Sequence, residues 1–379
     1  MPNDVDDILL NVIAELDAGL DRKVIFPSFE RQLSATRPGG HHPRWWSEFL
    51  PFRGSELRLY RCEGAYYVPH SGAIILSNGS IIESTVQQSR YVDPDLLKVK
   101  AAWMARSDAP VIKQAAITLP WGSLHNYGHF ILDGLSISAQ IAATYPGMSI
   151  VTPPLKSWQR EHFSLIDVKT LELDQEIYMI EDAVFTSGMK GSIHFPNEHY
   201  TTLRTAQWGS VPSGGRWPSK IYITRRGHKR PFANEEEVEH LLRARGFKVI
   251  QPENLSVREQ IDLFRTARYI VAPTGAALAN IMYCQPGVKV VEIIPRDVSE
   301  GGGDFGHKWV AYLVEMAQGS WFPYFCENLT GIDLPTVGGK PRSGYVPFEA
   351  DVTDLLDYID QILPWGSRFS AALRGIIRA

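Results

Sequence analysis

The sequence predicts an α/β protein of two domains, the second built on a parallel sheet with helices on both faces. Three observations predict it. Residues 220–295 alternate short apolar, β-branched runs with amphipathic helical patterns. Capping residues and small residues fall at the junctions between those runs. The chain has 379 residues, longer than one ordinary core.

Taken in order, Val5, Ile8, Leu9, Val12, Ile13 and Leu16 recur at helical spacing and predict an amphipathic helix over residues 4–20. Residues 36–52, with Gly39-Gly40-His41-His42 and Trp45-Trp46, read as an irregular aromatic segment folded onto the core, or as a sugar-stacking surface. Ile74-Ile75-Leu76, then Asn78-Gly79, then Ile81-Ile82 predict a hairpin. From Ala115 the pattern turns to strand (117–119), helix (126–143), strand (149–151), helix (158–166) and strands at 177–180 and 183–186. Gly209 to Gly215 is the best linker in the chain.

Residues 221–224 then open the regular series. Asn234 with Glu237 reads as a capping box for a helix carrying Val238, Leu241 and Leu242. Residues 247–250 are a strand. Ser256 with Glu259 repeats the capping chemistry ahead of Ile261, Phe264 and Ala267. Residues 269–272 run into Thr274-Gly275-Ala276-Ala277-Leu278, a small-residue turn opening a third helix, and 288–294 close the series. A helix over 307–317, a strand over 321–326 and an amphipathic helix over 352–363 come after it. The expected division is an N-terminal domain 1–208, a linker 209–219, a second domain 220–345, and C-terminal helices 346–379 packing back on the N-terminal domain.

Apolar residues make up 44% and charged residues 21%, the balance of a globular protein, and the net charge of −4 argues against nucleic acid as partner. Cys62, Cys284 and Cys326 are an odd, widely spaced set, which argues against a disulfide framework. The start Met1-Pro2-Asn3-Asp4 is acidic where a signal peptide is basic, and no apolar run reaches membrane-spanning length. A cytoplasmic setting is expected. The short basic, amphipathic segment 368–378 allows weak peripheral contact with a membrane, though a helix packed on the protein is the favoured reading.

Two stretches carry chemistry. In the first half, His129 and Asp133 stand at i and i+4, side by side on one helix face, with His125 one turn earlier. A carboxylate beside an imidazole raises its pKa and fixes its orientation, as a general base requires. A buried structural His–Asp pair is the alternative. Three ligands on two helical turns seldom converge on one ion, so no metal is expected. In the second half, parallel sheets bind ligands beyond the carboxyl ends of their strands. There Gly275, Ala276 and Ala277 let a phosphate approach a helix terminus, and Thr274 precedes them. Arg225 and Arg226 end the first strand, and alternation sends only one towards a ligand. Arg230 reads as a second clamp or a solvated loop charge. Glu292 reads as an acceptor for ribose hydroxyls or as a carboxylate paired inside the sheet. No Asp-x-Asp between apolar strands, no phosphate loop and no Gly-x-Ser-x-Gly is present.

The run Arg225, Arg230, Asn234-Glu235, then Pro252-Glu253-Asn254-Leu255-Ser256, then Ala272-Pro273-Thr274-Gly275-Ala276-Ala277-Leu278-Ala279-Asn280 and Glu292-Ile293 resembles glycosyltransferase family 61. Asn126, His129 and Asp133 match that family's Asn-x-x-His-x-x-x-Asp. The resemblance spans residues 70–325. It implies GT-B architecture, two Rossmann-like domains facing a central cleft, and inverting sugar transfer from a nucleotide donor, a UDP-sugar being expected, to a glycan or glycolipid acceptor. It implies His129 or Asp133 as base, with His125 and Asn126 in support. Arg225, Arg230, Thr274, Gly275, Ala276, Ala277, Leu278, Asn280 and Glu292 would then hold the donor, with no metal or cofactor. The family usually has His where Thr274 stands and Gly where Ala277 stands. The setting it suggests is surface-polysaccharide synthesis in a bacterium. Two other classes compete: a non-catalytic nucleotide-sugar or glycan-binding protein, and a nucleotide-sugar epimerase. Donor transfer or hydrolysis separates the first, and donor conversion without acceptor the second.

Overall fold

The computed structural model describes residues 12–13, 18–34, 36–41, 49–54, 56–85, 93–187, 197–214, 217–301, 308–331, 336–337, 340–341 and 346–363. The chain divides into two compact units. The first comprises residues 1–31, 53–213 and 256–261, and the second 32–52, 214–255 and 262–379.

The first unit is built on a mixed sheet. Its centre is β1 (Leu57–Val68), antiparallel to β3 (Tyr178–Thr186), which runs parallel to β2 (Val111–Ile117). Ile150–Thr152 and Thr170–Glu172 continue the parallel half, and Ala73–Ile75 with Ile81–Ile82 extend the antiparallel half. Tyr67, Ile74, Ile117, Ile180 and Phe185 are fully buried on it. Each such side chain withdrawn from water contributes about 1.5–3 kcal/mol. The helices that bear on function are α1 (Trp121–His125), α2 (Ser136–Thr144), α3 (Ser157–Ser164) and α4 (Asn197–Ser210).

The second unit is a parallel sheet of β4 (Lys220–Ile223), β5 (Lys248–Ile250), β6 (Tyr269–Pro273), β7 (Lys289–Pro295) and β8 (Ser320–Asn328). Its spatial order is β5-β4-β6-β7-β8. The order reverses between β4 and β6, and at such a switch point the carboxyl ends of the strands open a crevice. Its helices are α5 (Glu235–Ala244), α7 (Lys308–Met316) and α8 (Val352–Ile362), and α6 (Val257–Thr266) is divided between the units at Asp262.

Several sequence expectations change. Val12 and Ile13 are not helical: they pair parallel with Ile81 and Ile82, sheet burial outweighing helical periodicity. The remainder of that helix, apart from residues 18–20, lies outside the described residues, as do His42, Trp45, Trp46, His307 and residues 368–378. The expected strands 177–180 and 183–186 are one strand, β3. Gly209 and Ser210, read as linker, close α4. Asn234 does not cap α5, because its amide is spent on Ala350: Nδ2 donates to the Ala350 carbonyl at 2.8 Å and Oδ1 accepts its N–H at 3.2 Å. Glu235, Glu236 and Glu237 serve that helix start through the macrodipole instead. The Ser256–Glu259 capping box does form, Ser256 N donating to Glu259 Oε2 at 2.8 Å. Helix α8, expected to pack back on the N-terminal domain, buries Leu355, Leu356 and Ile359 in the second unit's own core with Tyr222, Val271 and Ile293.

Candidate active site

In the first unit the chain after β2 enters α1 and then breaks. Asn126 is extended, with φ −128° and ψ 126°, so His125 is not on a helix continuous with His129, and its side chain is exposed. Asn126 uses the break to cap the next helical turn, its Oδ1 accepting the His129 N–H at 3.2 Å. Residues Phe130–Leu135 then form a π-helical turn in place of the regular helix expected. Such turns are rare and frequent at functional sites. Ser136 starts α2 after it.

This turn brings His129 and Asp133 together, Nδ1 to Oδ2 at 2.7 Å. Asp133 is fully buried, and the His129 side chain is 36% exposed. Burial pulls the imidazole down, but the hydrogen bond and charge of Asp133 outweigh it, and the net shift is upward. Burial raises the Asp133 carboxyl against the opposing pull of His129. With Nδ1–H given to Asp133, the lone pair of Nε2 remains available as a base. Gly134, next to Asp133, has no room for a side chain: a Cβ there would lie 2.6 Å from Leu119 Cδ2 and 2.9 Å from Ser123 Oγ. Below the turn, Phe130 packs against Trp158, His162 and Phe163. His162 is buried and held down to about 3 by that burial, so it stays neutral.

In the second unit, Arg225 follows β4 and Thr274 follows β6, so the two flank the switch point. Arg225 donates from Nη1 to the Thr274 carbonyl and from Nη2 to the Lys229 carbonyl, each at 2.6 Å. Its Nε is buried without a partner. Gly275 is extended, and its lack of a side chain answers to space: a Cβ would stand 2.2 Å from Arg225 Nη1. Glu235 fixes the loop from beneath, its Oε1 accepting from Tyr222 Oη at 2.9 Å, Thr224 Oγ1 at 3.1 Å and Arg225 N at 2.7 Å. Arg226 turns the other way, onto buried Glu239. Arg230 sits in the left-handed region at φ 64°, a strain of about 1–3 kcal/mol that clusters at functional sites. Burial and the neighbouring Arg230 bring Arg225 down to about 10, and burial lowers Arg230 against the opposing charge of Asp297. Two partly desolvated guanidiniums of like charge, each with a buried Nε lacking a partner, are a setting that an anion relieves.

The remaining predicted residues divide. Ala276 and Ala277 are partly accessible at the start of a 3-10 helix, Ala276–Tyr283, which replaces the expected α-helix. Leu278 and Asn280 are fully buried in it. Glu292 is fully buried in β7, where its Oε2 accepts from Trp321 Nε1 at 2.9 Å. Burial lifts it to about 7, against hydrogen bonds from Thr274 and Trp321. Among the described residues, no group of three or more His, Cys, Asp or Glu is placed to hold a metal ion.

The glycosyltransferase 61 family model matches residues 127–291. The matched region is similar to glycosyltransferase 61. It starts two residues before His129 and ends at the residue before Glu292, narrower than the 70–325 of the resemblance. Within the matched region fall His129, Asp133, Arg225, Arg230 and the turn at Thr274–Ala277, whereas His125 and Asn126 lie just outside it. That match supports glycosyltransfer as the activity class. No curated protein matches the chain. Among the described residues, no helix is long and apolar enough to cross a membrane.

Sequence reasoning passed over Ser123, Gly134, Ser136, His199 and Glu235 as supports. The signal for Gly134 was legible, a glycine beside a candidate acid inside an apolar helix. Nothing local marks His199, which is 66 residues beyond Asp133.

Proposed function

We propose that the protein is an inverting, metal-independent glycosyltransferase that moves a sugar from a nucleoside diphosphate donor, UDP-linked in the first instance, to a hydroxyl of a glycan or glycolipid. The two units act as the two lobes of a GT-B enzyme, the second holding the donor and the first supplying the base. The observation that carries this reading is the His129–Asp133 pair: a partly exposed imidazole whose Nδ1 is fixed at 2.7 Å by a fully buried carboxylate. That arrangement leaves Nε2 to accept a proton from an acceptor hydroxyl.

The hydroxyl oxygen, losing its proton to His129 Nε2, bonds to the anomeric carbon from the side opposite the leaving diphosphate. The bond from that carbon to the phosphate oxygen breaks, and configuration inverts. Negative charge grows on the departing diphosphate, where Arg225 and Arg230 hold their unfilled N–H groups. Thr274 takes the place of an imidazole usual in the family, and a hydroxyl at that point carries no charge at any working pH. The cations named at this site, Arg225 and Arg230, are both guanidiniums.

The test is a panel of nucleotide sugars assayed for transfer and hydrolysis, with and without chelator. Turnover of one donor, unaffected by chelator and giving the inverted anomer, is the expected result. Donor conversion with no acceptor and no hydrolysis would assign the chain to the epimerase class.

A further inference from the structure

The π-helical turn departs from the α-helical pattern at Ser136, whose N–H reaches back five residues to the Ile131 carbonyl. The Leu132 carbonyl is thereby passed over by the N–H that an α-helix would give it, and a buried carbonyl needs a donor. The side chain of the same residue supplies one, Ser136 Oγ donating to Leu132 O. Its proton being so committed, Ser136 Oγ accepts from His199 Nε2 at 2.7 Å. His199 arrives from α4, and both side chains are fully buried. Burial holds His199 down to about 3, so the imidazole stays neutral and keeps Nε2–H as a donor across the working range. Serine bonding its own helix is common. A buried imidazole feeding that serine from another helix is not accounted for by helix chemistry alone.

We infer that Ser136 and His199 are positioning residues for the His129–Asp133 pair. The relay from His199 Nε2 through Ser136 Oγ to Leu132 O fixes the peptide that leads into Asp133. Ser123 acts at the other end, its Oγ donating to the His129 carbonyl at 2.9 Å. The peptide entering the acid and the peptide leaving the base are both held by side-chain hydroxyls. Together they hold the carboxylate and the imidazole at their 2.7 Å contact within the wide turn. The catalytic meaning rests on the function proposed above, but the positioning is a property of the protein alone.

The experiment is an NMR titration of the His129 imidazole in the full chain, which needs no ligand. Among the described residues, Asp133 is the group whose charge and hydrogen bond move His129 upward, so the titration reads their contact. Ser136→Ala is expected to lower the His129 midpoint towards that of Asp133→Asn. His199→Phe, which leaves the serine bond in place, is expected to move it the same way. Thr144→Ala removes an equivalent bond, Thr144 Oγ1 to Gln140 O, in the regular helix α2 and should leave the midpoint alone. A wild-type midpoint in Ser136→Ala, or in His199→Phe if the first does not fold, overturns the inference even if thermal stability falls. A lowered midpoint with undiminished sugar transfer would uphold the positioning and remove the pair from the mechanism.

Discussion

An imidazole on its own titrates near 6.5, and the Asp133 carboxylate moves His129 upward from there. The sign decides the pH dependence. A general base must be neutral, so turnover should rise with pH through the raised midpoint of His129. Asp133→Asn removes the charge that raises it and leaves at most a weaker, neutral hydrogen bond, so the acid limb should move to lower pH while the plateau falls about 10²–10⁴-fold. A pH–rate profile of the variant beside wild type checks both. Gly275 makes a separate prediction. Its Cβ would displace Nη1 of Arg225, whose guanidinium is tied to two carbonyls, Nη1 to Thr274 and Nη2 to Lys229. Gly275→Ala should therefore weaken UDP binding about 10–100-fold, as losing a charge-assisted bond would, with little change in unfolding temperature. Titration calorimetry with UDP measures the first and a thermal melt the second.

At the scale of the element, the π-helical turn separates what the sequence shows from what it hides. Helical spacing placed His129 beside Asp133, and that contact forms. The break at Asn126 is local, its own Oδ1 capping His129, and was passed over; the extra residue in the turn was not legible, because the Ser136 hydroxyl that supports it is fed by an imidazole from α4. Gly134→Ala tests how tightly the turn is packed. With Leu119 and Ser123 already in contact range, a methyl group should cost about 1–3 kcal/mol of stability and lower turnover by displacing Asp133. Denaturant unfolding and an activity assay read the two effects. The regular series in the second unit was far more legible. Alternating strands and helices of ordinary length carry their periodicity locally. The exceptions were Asn234, claimed by Ala350 from more than a hundred residues away, and the 3-10 helix at Ala276.

At the scale of the molecule, each unit has its own core and its own buried titratable groups. His162 and His199, both in the first unit, are held at about 3 against an ordinary 6.5. Their folded values are depressed, so the stability they carry is present above 6.5 and is lost as pH falls towards 3. Each should remove about 1.4 kcal/mol per pH unit through that window. Glu292, in the second unit, is raised from 4.5 to about 7. Its contribution is present below 4.5 and fades as pH rises through 7. Hydrogen exchange followed from neutral to mildly acid pH should show the first unit opening before the second. The mixed sheet of that unit was the least legible part of the fold, since antiparallel and parallel neighbours of β1 and β3 come from distant stretches. The parallel sheet's order, and with it the switch point between Arg225 and Thr274, was likewise a product of the assembled fold, although the residues themselves were named from the sequence.

The central claim is a division of labour, with donor affinity in the second unit and proton removal in the first. The measurement that tests it most directly is UDP affinity and sugar transfer in the same preparation of His129→Ala. The account predicts wild-type UDP affinity with transfer reduced about 10²–10⁴-fold. Transfer close to that of the wild type would contradict it.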